Sequence, residues 1–281
     1  MLAIIGGSGL YTLEGIQQSE SVVVDTPFGS PSSPVRRGRW GRHEILFLSR
    51  HGVGHQFLPH EINYRANVFA LKKLGATQVL SVSAVGSLAE EIGPGHLAVA
   101  GQYFDWTRGK RVSTFFGEGI AAHVSTARPA SSNMIAWAQA AAADCGIPLH
   151  AHVTYAGVEG PRLGTRAESL FLRQAGCHIV GMTNVPEAFL AREAQLCYAS
   201  IGIVTDYDCW KEAPEAHVQA SDIFSLYRQS LDKTLALLER LLNSELPDEE
   251  EEIRTALRHA IVTPESEIGP AQLAWLTELR K

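Results

Sequence analysis

The chain has 281 residues, 45% of them hydrophobic, which is enough for one large globular domain with a sizeable core. Its formal net charge of −6 and pI near 6.0 argue against a general nucleic-acid or anionic-membrane binder, while leaving room for a local anion site. No apolar run approaches the ~18 residues of a membrane span, and the opening Met1-Leu2-Ala3-Ile4-Ile5 lacks the basic residues of a signal peptide. The four cysteines (Cys145, Cys177, Cys197, Cys209) form no CxxC pair. They read as small buried hydrophobes of a reducing compartment, so a cytoplasmic location is expected.

Residues 3–5 read as a first strand and Gly6-Gly7-Ser8-Gly9-Leu10 as the turn after it. The glycines let backbone N–H groups approach an anion, and Ser8 adds a hydroxyl. A dinucleotide-binding reading fails on spacing: the third small residue would fall at Thr12, and Asp25 follows too soon for a full crossover helix. Residues 27–41, rich in Pro, Gly and Ser, read as a hairpin or loop with Arg36, Arg37, Arg39 and Arg42 in or beside it. Residues 44–48 form a strand that ends at Ser49-Arg50-His51-Gly52. Arg50 offers an anion a planar fork of donors, and a surface ion pair is the plainer alternative. His55 and His60 read as loop structure; with no carboxylate or cysteine at ligand spacing, no metal site is expected. A helix over 67–73 and a strand over 78–82 follow. Ser83-Ala84-Val85-Gly86-Ser87 then reads as a second small-residue turn able to meet a phosphate. At the ends of strands in one parallel sheet, these turns and Arg50-His51 would converge on its carboxyl edge.

Residues 96–106 read as strand or loop. Residues 108–129 read as a long loop carrying Phe115, Phe116 and His123, of the kind that forms lids or subunit contacts. A helix over 131–145 stops at Gly146, and a strand over 152–158 leads into Glu159-Gly160-Pro161-Arg162-Leu163. Thr165 N-caps the next helix, with Glu168 placed for a capping box. Residues 179–180 are a short buried strand ending at Gly181-Met182-Thr183, and Pro186 starts the helix that runs to 195. Residues 198–204 are a β-branched buried strand, ending at Thr205-Asp206-Tyr207-Asp208-Cys209-Trp210. Two carboxylates there stand where α/β sheets bind ligands. A continuing strand puts both on one side, a loop frees both to aim at one ligand, and solvated strand-end acids are the plainer reading. A long leucine-faced helix covers 222–243, with Ser221 at its start. The acidic run 247–253 reads as a solvated helix start, followed by helices near 251–259 and 272–281. Strands and helices alternate, so the expected fold is a single α/β domain with a mostly parallel or mixed central sheet flanked by helices. Residues 1–243 would carry the site, and 244–281 would be an acidic helical tail packed on the same domain.

The turns at 6–10, 50–52, 63–67, 83–87, 159–162, 181–187 and 205–210 together resemble purine nucleoside phosphorylases of the trimeric type, over about residues 3–242. Within that family the chain is most similar to members that act on 5'-methylthioadenosine. The resemblance implies a pentosyltransferase in which phosphate attacks C1' of a nucleoside and releases the base and a sugar 1-phosphate. Inorganic phosphate is the co-substrate, with no covalent intermediate, metal or cofactor. The transition state resembles an oxocarbenium ion, so such a site acts by positioning and electrostatics. A homotrimer is implied, with no nucleic-acid or membrane partner.

Carried over on the matching motifs, the phosphate site is Ser8, Arg50, His51, Ser83, the Ala84 backbone N–H and Thr183. Met182 would pack on the ribose and Leu163 on the base. Asp206 would face purine N7 and Asp208 the 6-amino group. A carboxylate accepts from an amino group and repels a 6-oxo group, so Asp208 favours adenine. Asp206 must be protonated to donate to N7, and would then be the general acid for the leaving base. Ala220 and Ile223 would give an apolar 5' pocket suited to a methylthio group, closed by His123 of a neighbouring subunit. An inserted residue near His217 leaves that histidine as the alternative. Leu163 stands where the family usually has Phe, and Gly164 where it has Ser or Glu. The expected reaction is phosphorolysis of 5'-methylthioadenosine to adenine and 5-methylthioribose 1-phosphate. The alternatives are a phosphorylase for 5'-methylthioinosine or another 6-oxopurine nucleoside, and a non-catalytic nucleoside-binding module.

Overall fold

In the first strand, β1 (Leu2–Gly6), Leu2 and Ile4 face one side of the sheet and Ala3 and Ile5 the other. All four are fully buried, so helices cover both faces. The computed structural model describes every residue except 8–9, 11–14, 110 and 212–219, with the backbone alone of 220–229. The remaining strands are β2 (Gln17–Val22), β3 (Val35–Trp40), β4 (His43–Ser49), β5 (Gln78–Ser87), β6 (Leu97–Trp106), β7 (Leu149–Val158), β8 (Ile179–Gly181) and β9 (Cys197–Asp206). The helices are α1 (Tyr64–Lys73), α2 (Ser132–Asp144), α3 (Arg166–Gln174), α4 (Asn184–Glu193), α5 (Ala220–Leu242), α6 (Glu251–Arg254) and α7 (Pro270–Leu279). Val68 and Leu71 of α1, Leu190 of α4 and Leu276 of α7 pack on the Ala3 and Ile5 face. Met134 and Ala138 of α2 and Leu238 and Leu241 of α5 pack on the Leu2 and Ile4 face.

The strands run in the order β2-β3-β4-β1-β5-β8-β7-β6-β9, and β9 pairs back onto β5. Five strands therefore close a ring, filled by Val85, Ala98, Val153, Tyr155, Ile179 and Val204. The sheet is mixed, as the alternation of elements predicts: β1 is parallel to β4 and β5, whereas β8 is antiparallel to β5 and β6 to β9. The strand β5 is the hub. It pairs with β1 through Val82, with β8 from Gly86, and with β9 along nearly its whole length.

That hub corrects one expectation. Residues 83–87 are not a turn but the second half of β5, because β9 runs beside them as far as the Gly86–Asp206 pairing. Small residues carry little strand propensity, and a neighbouring strand overrides it. Two further differences lie in the tail. The helix near 251–259 is only the four-residue α6, followed by turns. The acidic run is not simply solvated: the Glu250 carboxylate accepts from Ser131 Oγ (2.6 Å) and Asn133 N–H (3.0 Å) at the start of α2, where negative charge complements the helix dipole. Cys145 is exposed and Cys209 half-buried, so only Cys177 and Cys197 are buried as expected. Among the described residues no helix is long and apolar enough to cross a membrane.

One packing defect stands out. Lys72 of α1 is buried, and its Nζ has no hydrogen-bond partner among the described residues. Burial and the nearby Arg254 pull its pKa down to about 7, against the favourable pull of Glu249 and Glu278. The unfolded chain keeps the ordinary lysine value, so the folded state is penalised wherever the unfolded lysine is charged. The deficit is complete below about pH 7 and fades toward the ordinary lysine range near 10.5. Lys72→Met should therefore raise unfolding stability by roughly 1–3 kcal/mol at pH 6, and by less at pH 9. Thermal unfolding at the two pH values checks this, and a destabilised variant at pH 6 would refute it.

Candidate active site

Arg50 ends β4 beside the turn after β1, and its backbone N–H donates to Gly6 O (2.9 Å). It is not the surface ion pair of the plainer reading. Its side chain is 0% exposed and is paired with Glu187 of α4, itself 1% exposed. Nε donates to Glu187 Oε2 (2.7 Å) and Nη2 to Oε1 (3.0 Å), a bidentate fork. Nη2 also donates to Ser81 Oγ (2.5 Å), and Nη1 to Val82 O (3.1 Å). Burial alone would lower the Arg50 pKa, but Glu187 more than compensates and holds it above the ordinary value. These bonds use four of the five guanidinium N–H donors. Nη1, which carries the fifth, lies 2.9 Å from where a Cβ on Gly7 would stand. Only glycine lets the arginine approach this turn so closely.

The pair is locked from every side. Ser81 Oγ and Tyr198 Oη donate to Glu187 Oε1 (2.7 and 2.8 Å). Asn184 Nδ2 donates to Ser81 Oγ (3.1 Å) and Tyr198 Oη (2.9 Å), while Asn184 Oδ1 accepts from Ser83 Oγ (3.2 Å). Arg50 and Ser83 are thus joined through one buried network, and Thr183 precedes Asn184 at the start of α4. The backbone N–H groups of Thr183 and Asn184 donate to Tyr155 Oη (3.2 and 3.4 Å), and the Thr183 hydroxyl makes no capping bond to its own helix. Val82 O faces β1, accepting from Gly7 N–H (3.0 Å). Backbone polar groups alternate sides along a strand, so the Ala84 N–H points the same way, into the gap where β1 has ended and β8 has not begun. His51 is buried. Its Nδ1 lies 2.8 Å from Phe57 O, which can only accept, so Nδ1 carries the proton and Nε2 is left as an acceptor. Burial first, then the charges of Arg50 and His55, pull the His51 pKa down to about 4, and its ring stacks on that of His55. The structure therefore brings Arg50, His51, Ser83, Ala84 and Thr183 to one sheet edge. Ser8 lies outside the described residues.

The two acids stand at the other side of β5. Strand β9 ends at Asp206, and Asp208 begins a short 3-10 turn with φ +49°. Both meet Gly86: a Cβ there would lie 3.2 Å from Asp206 Oδ1 and 3.3 Å from Asp208 Cβ. Asp206 Oδ1 accepts from Asp208 N–H (2.6 Å). Trp210 pins the turn, donating to Ser87 O (2.8 Å). Burial is the main cause that raises the Asp206 pKa, and the adjacent acid adds only a small push. Burial also raises Asp208, reinforced by Glu168 and opposed by the Ser169 hydroxyl.

Met182 is half-buried under Gly160, whose φ of +65° brings its Cα against the sulfur. Leu163 is 49% exposed on the adjoining loop, so it covers less of a base than a packed ring would. A cavity of about 100 Å³ lies between Asp208, Gly164 and the ends of β6, β7 and β8. His123 is exposed on a loop tied to Ala260 by a backbone bond (2.8 Å), and has no described contact with the residues above. The Ala220 and Ile223 side chains, and His217, lie outside the described residues.

Sequence reasoning assigned no role to Glu187, Asn184, Ser81 and Tyr198, nor to Arg111. Arg111 is buried and donates to Glu159 Oε1 (3.1 Å), Glu159 O (2.7 Å), Met182 O (2.5 Å) and Val185 O (2.6 Å), tying the 108–129 loop to both ligand-facing segments. The only local signal was Glu187 directly after the helix-starting Pro186, which reads equally well as an ordinary first-turn acid.

The family model of the phosphorylase superfamily matches residues 1–243. The S-methyl-5'-thioadenosine phosphorylase of Geobacter sulfurreducens is 43% identical over 272 residues, covering 97% of this chain and 94% of that protein. That of Hyperthermus butylicus is 44% identical, covering 93% and 94%. A methylthioadenosine phosphorylase from an antarctic soil metagenomic library superposes with a TM-score of 0.91 at 40% identity, over 99% of this chain and 98% of that one. The Schistosoma mansoni methylthioadenosine phosphorylase in complex with adenine superposes with a TM-score of 0.82 at 37% identity, over 86% and 90%.

The Arg50–Glu187 pair yields a test. Glu187→Gln should lower unfolding stability by about 3–5 kcal/mol, because it strands a buried charge. Arg50→Met/Glu187→Met should recover most of that loss and still show no response to phosphate. Urea unfolding with a phosphate titration separates the two effects. A Glu187→Gln protein as stable as the parent would show that the pair does not hold the fold.

Proposed function

This chain belongs to the phosphorylase superfamily, and we infer that it catalyses phosphorolysis of 5'-methylthioadenosine to adenine and 5-methylthioribose 1-phosphate. It is then a pentosyltransferase of the purine nucleoside phosphorylase type. Inorganic phosphate is the co-substrate, and the reaction calls on no other cofactor. The observation that carries the base assignment is the acid pair over Gly86, whose pKa values burial pushes up. Thr205 Oγ1 lies 3.2 Å from Val85 O and 2.7 Å from Asp206 Oδ2. The hydroxyl has one proton. Its donation to Asp206 Oδ2 opposes the upward push of burial on this group, and burial, the larger cause, wins.

The chemistry then follows. Phosphate sits at the sheet edge against the last Arg50 donor, the Ala84 N–H and the hydroxyls of Ser83 and Thr183; the resemblance adds Ser8, which lies outside the described residues. His51 Nε2 accepts from the protonated oxygen of hydrogen phosphate. A phosphate oxygen bonds to C1' as the C1'–N9 bond breaks, the bonding electrons enter the purine, and N7 takes the Asp206 proton. Asp208 accepts from the 6-amino group, Met182 supports the ribose, and Leu163 covers the base. The resemblance assigns Ala220 and Ile223, whose side chains lie outside the described residues, to the methylthio group.

The assembly is read as a homotrimer. Trp106 and Phe171 are 41% and 46% exposed, with ring centroids 4.9 Å apart, and Leu163 and Val112 are exposed nearby in the chain's ligand-facing loops. Exposed aromatic surface of this kind marks an interaction site. The resemblance assigns His123 of a neighbouring subunit to the 5' pocket.

Base release followed by ultraviolet absorbance tests the assignment, with 5'-methylthioadenosine, 5'-methylthioinosine, adenosine and inosine side by side. Release should require phosphate and be fastest from 5'-methylthioadenosine. Faster cleavage of the inosine forms would overturn the base assignment, and nucleoside binding without turnover would favour a binding module. Asp206→Asn should lower kcat by about 10²–10⁴. Trp106→Asp/Phe171→Asp should reduce the mass measured by light scattering to that of a monomer, and an unchanged mass would refute the interface.

A further inference from the structure

Helix α3 opens with a complete capping box: Glu168 N–H donates to Thr165 Oγ1 (3.3 Å) and Thr165 N–H to Glu168 Oε2 (2.8 Å). The box fixes the first turn, and the next residue, Ser169, faces inward. Ser169 is 1% exposed, and its Oγ has no hydrogen-bond partner among the described residues. A buried hydroxyl without a partner is unfavourable, so its retention asks what satisfies it.

The surroundings answer. Ser169 lines the cavity of about 100 Å³ together with Asp208, Gly164, Leu172 and Val180. Leu172 and Val180 offer no polar atom. Gly164 leaves the space open, since a Cβ there would meet only Glu168 Oε2 at 3.9 Å. Asp208 is the acceptor nearest in kind, and the Ser169 hydroxyl already pulls its pKa down against burial and the negative charge of Glu168. Ser169 pulls on Asp208 and on the adjacent Cys209 thiol as a hydrogen-bond donor would, although no contact of its Oγ has full hydrogen-bond geometry among the described residues.

We propose that Ser169 determines base specificity: its hydroxyl donates to the Asp208 carboxylate once a 6-aminopurine fills the cavity, leaving that carboxylate a pure acceptor for the 6-amino group. This rests on the base assignment given above. Two neighbouring acids must be sorted for the reaction, with Asp206 holding a proton and Asp208 not. Burial favours a proton on Asp206, and the Ser169 hydroxyl opposes one on Asp208. A protonated Asp208 could instead donate to a 6-oxo group, and discrimination between adenine and hypoxanthine nucleosides would be lost.

The experiment compares kcat/KM for 5'-methylthioadenosine and 5'-methylthioinosine in wild type, Ser169→Ala and Ser169→Thr. In Ser169→Ala the ratio should fall about tenfold or more, mainly through a higher KM for the adenine substrate, with the phosphate KM unchanged. Ser169→Thr keeps the hydroxyl and should hold the ratio near that of wild type. A wild type without preference for the adenine substrate overturns the base assignment and this proposal with it. A wild-type preference kept intact in Ser169→Ala overturns this proposal alone, even where the thermal midpoint has moved.

Discussion

A guanidinium and a carboxylate buried against each other set the conditions for the structure around them. Removing two charges from water is unfavourable unless their geometry is good and every remaining donor and acceptor is met. Arg50 and Glu187 meet that condition only with Ser81 of β5, Tyr198 of β9 and the backbone of Val82 in place. The end of β4, the middle of β5, the start of β9 and the first turn of α4 are therefore held in one arrangement. Asn184 carries the network on to Ser83. A fully satisfied polar network of this kind is rigid, and rigid donors suit a site that works by electrostatic preorganisation.

The hub strand β5 divides the site into two electrostatic halves. On the edge facing the end of β1, a buried arginine and open backbone donors make a place for an anion. On the other side, at Gly86, lie two acids whose pKa values burial pushes up. On the proposed reading, a sugar held between them would have an anion at one side of C1' and a proton source at the base. Both are what a reaction needs when positive charge develops on the sugar and negative charge on the leaving purine. The halves share a backbone, since Val85 O holds Thr205 and Gly86 carries the acids. Their spacing is set by a strand rather than by loops.

Much of this arrangement was legible in the chain because its signals are local. A strand end followed by Arg50-His51, and a β-branched strand followed by two acids, each announce themselves within ten residues or so. The α/β fold followed from the alternation of elements, and the α3 capping box from Thr165 and Glu168 alone. What escaped depended on distance. Glu187 meets Arg50 across 137 positions of chain, and Arg111 reaches Met182 across 71. Neither partner carries a local mark of its role. Residues 83–87 looked like a turn because Ser, Ala and Gly are weak strand formers, and only β9 alongside makes them strand. The acidic tail looked solvated because nothing nearby in sequence shows that Glu250 meets the start of α2.

The central claim is that one arginine both holds the fold and presents its last donor to phosphate. Arg50→Lys tests it most directly, because lysine keeps the charge but has no planar fork to span Glu187 and an anion together. Inorganic phosphate would be titrated calorimetrically into wild type and variant, with circular dichroism confirming that both are folded. The account predicts phosphate affinity weakened about tenfold or more in the folded variant. Equal affinity in the two proteins would contradict it and would move the phosphate away from Arg50.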